Sequence, residues 1–197
     1  MAGVKQSQHI VLSLLIGVSF VIIGAVAFLA LRGQVTPLEI YHDPQYHFSL
    51  KYPQGWTVTS RPENGAALVS FIPPVTPGDN FAENVNIVLV DLAREPRLTD
   101  LDVFTKETTR QLLGVFGKYV NVYDARKVRM GGLPAYRLAY VTHNTTPATN
   151  QKMKYLHAWT LKGRAAFILT FVGESRQFDE YVKHVDRMIK TFRFDKE

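Results

Sequence analysis

Hydrophobic and polar positions divide this chain into two regimes. Residues 10–31 carry no charge at all and are bounded by His9 and Arg32. As a helix rising about 1.5 Å per residue, this run is about 33 Å long, enough to cross a hydrocarbon core of about 30 Å. Nothing later in the chain repeats it. The pattern therefore predicts a tail over residues 1–9, a transmembrane anchor over 10–31, a linker over 32–43 and one soluble domain over 44–197. A cleaved secretory signal is the competing reading. Lys5 supplies its basic start, residues 10–19 its apolar stretch, and Ala25-Val26-Ala27 its small-residue cleavage site. The apolar continuation Phe28-Leu29-Ala30-Leu31 favours the anchor, and the absence of cysteine excludes a lipoprotein. A short tail ahead of a long C-terminal domain behaves as a signal-anchor. The expected location is single-pass in the cytoplasmic membrane with the domain on the extracytoplasmic side.

Past the linker the period of the pattern changes. Tyr46, Phe48, Leu50 and Tyr52 alternate with His47, Ser49 and Lys51, which predicts a strand. Pro53-Gln54-Gly55 breaks it and a second strand runs over 56–60. Asn64-Gly65 marks a hairpin into 66–72, and a proline-rich loop separates this from an apolar strand over 85–92. Leu101, Phe104, Thr108, Leu112 and Val115 recur at helical spacing, with Thr99 as N-cap and Gly117 as terminator. Strands follow over 120–130 and 135–143, joined by Gly131-Gly132. A further pair over 152–162 and 165–172 is joined by Gly163-Arg164, a natural type II′ hairpin. A closing helix from about Ser175 carries Phe178, Tyr181, Val182, Val185, Met188, Ile189 and Phe192.

Short hairpin loops make the sheet mostly antiparallel. Two of its strands are apolar on both faces, and two amphipathic helices are available to cover them. The expected fold is α+β: a three-layer α/β/α sandwich around one mostly antiparallel sheet.

Composition changes this picture little. With 46% hydrophobic and 20% charged residues, the chain is that of a globular protein. The net charge is +6; without Lys5 and Arg32, 21 basic side chains face 17 acidic ones. That mild excess suits a domain beside anionic lipid head groups and falls short of the dense basic stripe of a nucleic-acid binder.

The stretch Tyr46-His47-Phe48-Ser49-Leu50-Lys51-Tyr52-Pro53-Gln54-Gly55-Trp56 resembles the F-x-(hydrophobic)-x-Y-P-x-G-W opening of PsbP-like domains, the superfamily of the extrinsic photosystem II protein. Gly132-Leu133-Pro134-Ala135-Tyr136 and Met188-Ile189-Lys190-Thr191-Phe192-Arg193-Phe194 are similar to later pieces of the same family. Together they bracket about residues 40–195. Phe48, Tyr52, Pro53, Gly55, Trp56 and Pro134 are the motif positions. The resemblance implies an antiparallel α/β/α sandwich and a non-catalytic binding or assembly role at a membrane.

Candidate chemistry is sparse. His42, Asp43 and His47 are the nearest approach to a ligand cluster, but a metal site wants three or four convergent ligands, and these sit across an irregular strand start. His157, between Tyr155 and Trp159 on one strand face, reads as a packed residue. No Ser lies in a G-x-S-x-G turn, and Ser49, Ser60, Ser70 and Ser175 have no identifiable partner. Residues 114–118 are too short for a phosphate-cradling loop and follow a helix rather than a strand. Asp100 and Asp102 fit a helix start better than an acid/base pair. Asn144-Thr145-Thr146 matches a glycosylation acceptor. The expectation is no enzyme, no metal and no cofactor.

Eight basic residues lie between Arg126 and Arg164, interleaved with Tyr136, Tyr140, Tyr155 and Trp159. The expected binding patch is an exposed aromatic-plus-basic surface around Arg137, Lys152, Lys154 and Lys162 and the loops over 73–84 and 143–151. Its expected partners are lipid, through the N-terminal helix, and a membrane protein complex, with no nucleic acid. A small-ligand or divalent-cation binding protein of the envelope is the alternative, and a hydrolase ranks behind it.

Overall fold

A computed structural model describes residues 36–62, 67–74, 81–143, 152–175 and 177–195. The expected anchor over 10–31, the Asn64-Gly65 turn and the Asn144-Thr145-Thr146 triplet lie outside the described residues. Among the described residues no helix is long and apolar enough to cross a membrane.

The compact unit that starts at Leu38 is α+β. Among the described residues ten strands and two α-helices follow in chain order: β1 (Leu38–Asp43), β2 (Phe48–Pro53), β3 (Thr57–Ser60), β4 (Ala67–Ile72), β5 (Asn84–Asp91), α1 (Leu101–Phe116), β6 (Val120–Met130), β7 (Leu133–Thr142), β8 (Met153–Lys162), β9 (Ala165–Glu174), α2 (Phe178–Thr191) and β10 (Arg193–Phe194). A seven-stranded sheet has the order β3-β4-β5-β9-β8-β7-β6, and a small sheet has the order β1-β2-β10. Every paired strand is antiparallel.

Strand alternation sends side chains to two separate cores. Ala135, Ala139, Leu156, Ala158, Phe167, Leu169 and Phe171 pack under α2 together with Phe48 and Leu50 of the small sheet. Leu138, Tyr140, Trp159 and Ala166 project from the opposite face and meet Phe104 of α1. This is why β8 and β9 are apolar on both sides: each face of the sheet has its own cover.

Three expectations change. Leu38–Asp43, read as the second half of the linker, is strand β1; its alternation is weak, and only pairing with β2, Leu38 to Pro53 through Asp43 to Phe48, makes it a strand. The first predicted strand therefore leaves the main sheet for a second one, which helps α2 to cover one face. The N-cap of α1 is Asp100, whose carboxylate accepts from the Val103 amide at 2.9 Å, while the Thr99 hydroxyl donates to the Pro96 carbonyl. The hairpins match their sequences. Gly131 and Gly132 both have positive φ, whereas at the β8–β9 turn Gly163 alone does, as type II′ requires.

Candidate functional site

The basic residues expected to form one patch are distributed by the sheet. All four sit on the α2 face, because Arg137, Lys152, Lys154 and Lys162 share the alternation of Ala139, Leu156 and Ala158. Lys152 and Lys154 stand at the start of β8 and Lys162 at its end. The ten residue steps from 152 to 162 span about 33 Å of strand, so they do not converge. Arg137 is only 6% exposed. Its guanidinium pairs with Asp124 on β6 and, at 3.2 Å, with Asp186 on α2. A buried charge needs such partners, and here they turn the side chain into a clasp between sheet and helix. Lys154 pairs with Asp179 at 3.0 Å, and the Lys162 ammonium lies over the Phe194 ring. Lys152 is exposed.

The histidines near the domain start do not gather around a centre. Asp43 is fully buried, and its Oδ1 accepts from the Gln45 and Tyr46 amides at 3.0 and 2.9 Å. Arg61 donates to the same carboxylate. His42 faces Asp195 at 3.3 Å, and His47 occupies a turn with positive φ. Asp43 therefore closes the β1–β2 turn. Among the described residues no group of three or more His, Cys, Asp or Glu is placed to hold a metal ion.

His157 sits in a buried polar row that crosses the sheet. Its Nε2 is 3.1 Å from the Tyr140 hydroxyl and its Nδ1 is 3.2 Å from the Thr170 hydroxyl. Burial lowers its pKa to about 4 and pushes the Tyr140 phenol upward. Both groups are neutral near pH 7. The same register continues through Asn86 and Ser70, where the Ser70 hydroxyl donates to Asn86 Oδ1 at 2.6 Å. With hydroxyls on both ring nitrogens, His157 has the environment of a packing residue rather than of a base paired with a carboxylate.

What the structure does bring together is one end of the large sheet. Thr57 pairs with Ile72, Asn84 with Val172, and Met153 with both Thr142 and Glu174. The strand ends that flank the two loops expected to bind therefore lie side by side; residues 75–80 and 144–151 themselves lie outside the described residues. The last turn of α1 and the start of β6 reach the same end, since Phe116 packs on Tyr140 and Tyr155 and the His143 amide donates to the Tyr119 carbonyl. Among the described residues, four of the seven exposed large hydrophobic residues lie at this end: Val115 (78% exposed), Tyr119 (49%), Val122 and Tyr123 (50%). Val115 was expected on the buried stripe of its helix. The inward stripe of α1 runs through Phe104, Leu112 and Phe116, so Val115 falls beside it and meets solvent. Tyr123, beside the bulge between Val122 and Asp124, stands on the α2 face of β6 toward Arg137 and Asp179, whereas Val122 shares the α1 face with Tyr140. Neither exposure has a signal in the sequence.

The PsbP family profile matches residues 36–194. The chain belongs to the PsbP family. Its PsbP motif positions are structural: Phe48 stacks on Phe192 at 5.1 Å between ring centroids, and Trp56 packs edge-on to Tyr181 of α2. The Tyr52 hydroxyl donates to Glu39 across β1 and β2, and Pro134 offers its carbonyl to Thr160. Among solved structures, the cyanobacterial PsbP (CyanoP) of Synechocystis sp. PCC 6803 is similar at a TM-score of 0.57 and 15% identity, covering 82% of this chain and 95% of that one. The Saccharomyces cerevisiae Ran-binding protein Mog1p matches at 0.57 and 10% identity, over 81% and 96%. LpqN of Mycobacterium tuberculosis, involved in cell envelope biogenesis, matches at 0.51 and 13%, over 83% and 87%. At these identities the likeness is one of fold. No curated protein sequence matches the chain.

Proposed function

We propose that this protein is a membrane-anchored, extracytoplasmic, non-catalytic PsbP-like module that binds or helps assemble a membrane protein complex. The observation that carries this reading is the convergence of loop-flanking strand ends and exposed aromatic and aliphatic side chains at one end of the sheet. Such clustering is the mark of an interaction surface. The uncharged run over 10–31 supplies the anchor. The same fold serves a Ran-binding protein in yeast and a protein of envelope biogenesis in a mycobacterium, which supports partner binding and an envelope location. The neutral surroundings of His157 and the absence of cysteine support a non-catalytic role.

Chemical crosslinking in native membranes, followed by pull-down and mass spectrometry, tests the reading. The expected result is one or a few integral membrane proteins above background. Recovery of none, together with calorimetric binding of a metal ion or metabolite, replaces it with a ligand-binding protein of the envelope.

A further inference from the structure

We propose that the corner built from the last turn of α1 and the start of β6 rests in the lipid interface, with Val115, Tyr119 and Val122 as its contacts. This rests on the anchored reading above and goes beyond it by naming the surface that meets the bilayer. Two independent observations carry it.

The first is the position at which the chain joins the domain. Leu38 opens β1 opposite Pro53. The Trp56 amide donates to the Pro53 carbonyl, and the next residue, Thr57, pairs with Ile72 at the loop end of the large sheet. Only residues 32–37 separate the uncharged run from β1. Fully extended, six residues reach about 20 Å. A domain held by so short a tether at that end keeps the same end close to the head groups. The corner lies across the sheet from the tether, six strand spacings or about 29 Å away, so it gives the domain a second foothold.

The second observation is chemical. Tyrosine with aliphatic neighbours is the side-chain set enriched at membrane–water interfaces, where the ring enters the apolar boundary and the hydroxyl stays wet. Val115 and Val122 add exposed apolar area. Lys152, exposed at the start of β8 on the same end, offers a cation to anionic head groups. Of the remaining exposed large hydrophobic residues, Val90 and Val103 lie toward the opposite end, and Ile40 stands on β1, two residues from the start of the domain.

The chain has no cysteine, so single labels go in without removing any. Full-length protein carrying Val115→Cys, Tyr119→Cys or Val122→Cys, with Val103→Cys as the far-end control, is labelled with an environment-sensitive fluorophore and reconstituted in nanodiscs containing phosphatidylglycerol. Quenchers attached high on the acyl chain are expected to remove most of the emission at 115, 119 and 122 and to leave that at 103 unchanged. All four positions are exposed, and circular dichroism confirms that each variant folds. Labels at the corner that respond only to aqueous quenchers, on protein still bound to the discs, overturn the inference while the anchor stands. Shielding that develops only when membrane extract is added, without lipid quenching, overturns it in favour of a protein surface. Protein that separates from the discs removes the anchored reading and this inference with it.

Discussion

Trp56 shows how much of the domain hangs on single aromatic positions. It follows the Pro53-Gln54-Gly55 turn, is 8% exposed, and packs against Tyr181 and His184 of α2. Trp56→Ala is expected to cost about 3–5 kcal/mol in chemical denaturation, and a variant melting like wild type would show that this corner bears no load. His157 gives a pH dependence whose sign follows from its lowered pKa of about 4. The unfolded chain takes up a proton near pH 6.5 that the folded protein refuses until about pH 4. Stability therefore falls as pH drops through that window, by up to about 3 kcal/mol, and levels off below it. His184, lowered by burial and by Arg187, adds a slope of the same sign. Denaturation midpoints at several pH values for wild type and His157→Asn measure the difference. Equal slopes in the two proteins would contradict the assignment. The pattern of the sequence placed Trp56 inside, because the turn before it fixes its direction. It also named Arg137 as a surface contact, because a lone cation on an alternating strand looks solvated until its two carboxylates arrive from β6 and α2.

At the scale of elements, the β6–β7 hairpin holds the closing strand. Gly131 lies under Phe194; a Cβ there would stand 2.6 Å from the ring, whereas one at Gly132 meets nothing. Both glycines have positive φ, at 64° and 79°. Alanine at either position pays backbone strain of about 1 kcal/mol, and only Gly131→Ala must also displace Phe194 from Phe167 and Phe192. Thermal melts should thus rank wild type above Gly132→Ala and Gly132→Ala above Gly131→Ala; equal losses would mean that the close approach carries no weight. Helix and strand types were legible because their periods are local. The strand identity of Leu38–Asp43 was not, since its hydrogen bonds come wholly from β2. The outward turn of Val115 was equally hidden, because helical spacing does not decide which of two adjacent apolar residues, Val115 or Phe116, faces the sheet.

For the whole molecule, the prediction concerns sidedness. A reporter phosphatase that is active only after export, fused behind Glu197, is expected to be active, and intact mass distinguishes a retained anchor from a cleaved signal. Cytoplasmic-only activity would reverse the orientation. The sequence by itself determined the α+β class, the two helices, the antiparallel hairpins and the PsbP likeness. These depend on periodicity, turn residues and motif spacing, all of them local along the chain. Tertiary structure alone decided that β1, β2 and β10 form a second sheet, that the four candidate cations separate along β8 or sink into the core, and that the loop-flanking strand ends meet at one end beside four exposed apolar side chains. Those outcomes depend on which strands pair over long separations and on where packing stops covering a residue, and neither quantity is written in the spacing of neighbouring residues.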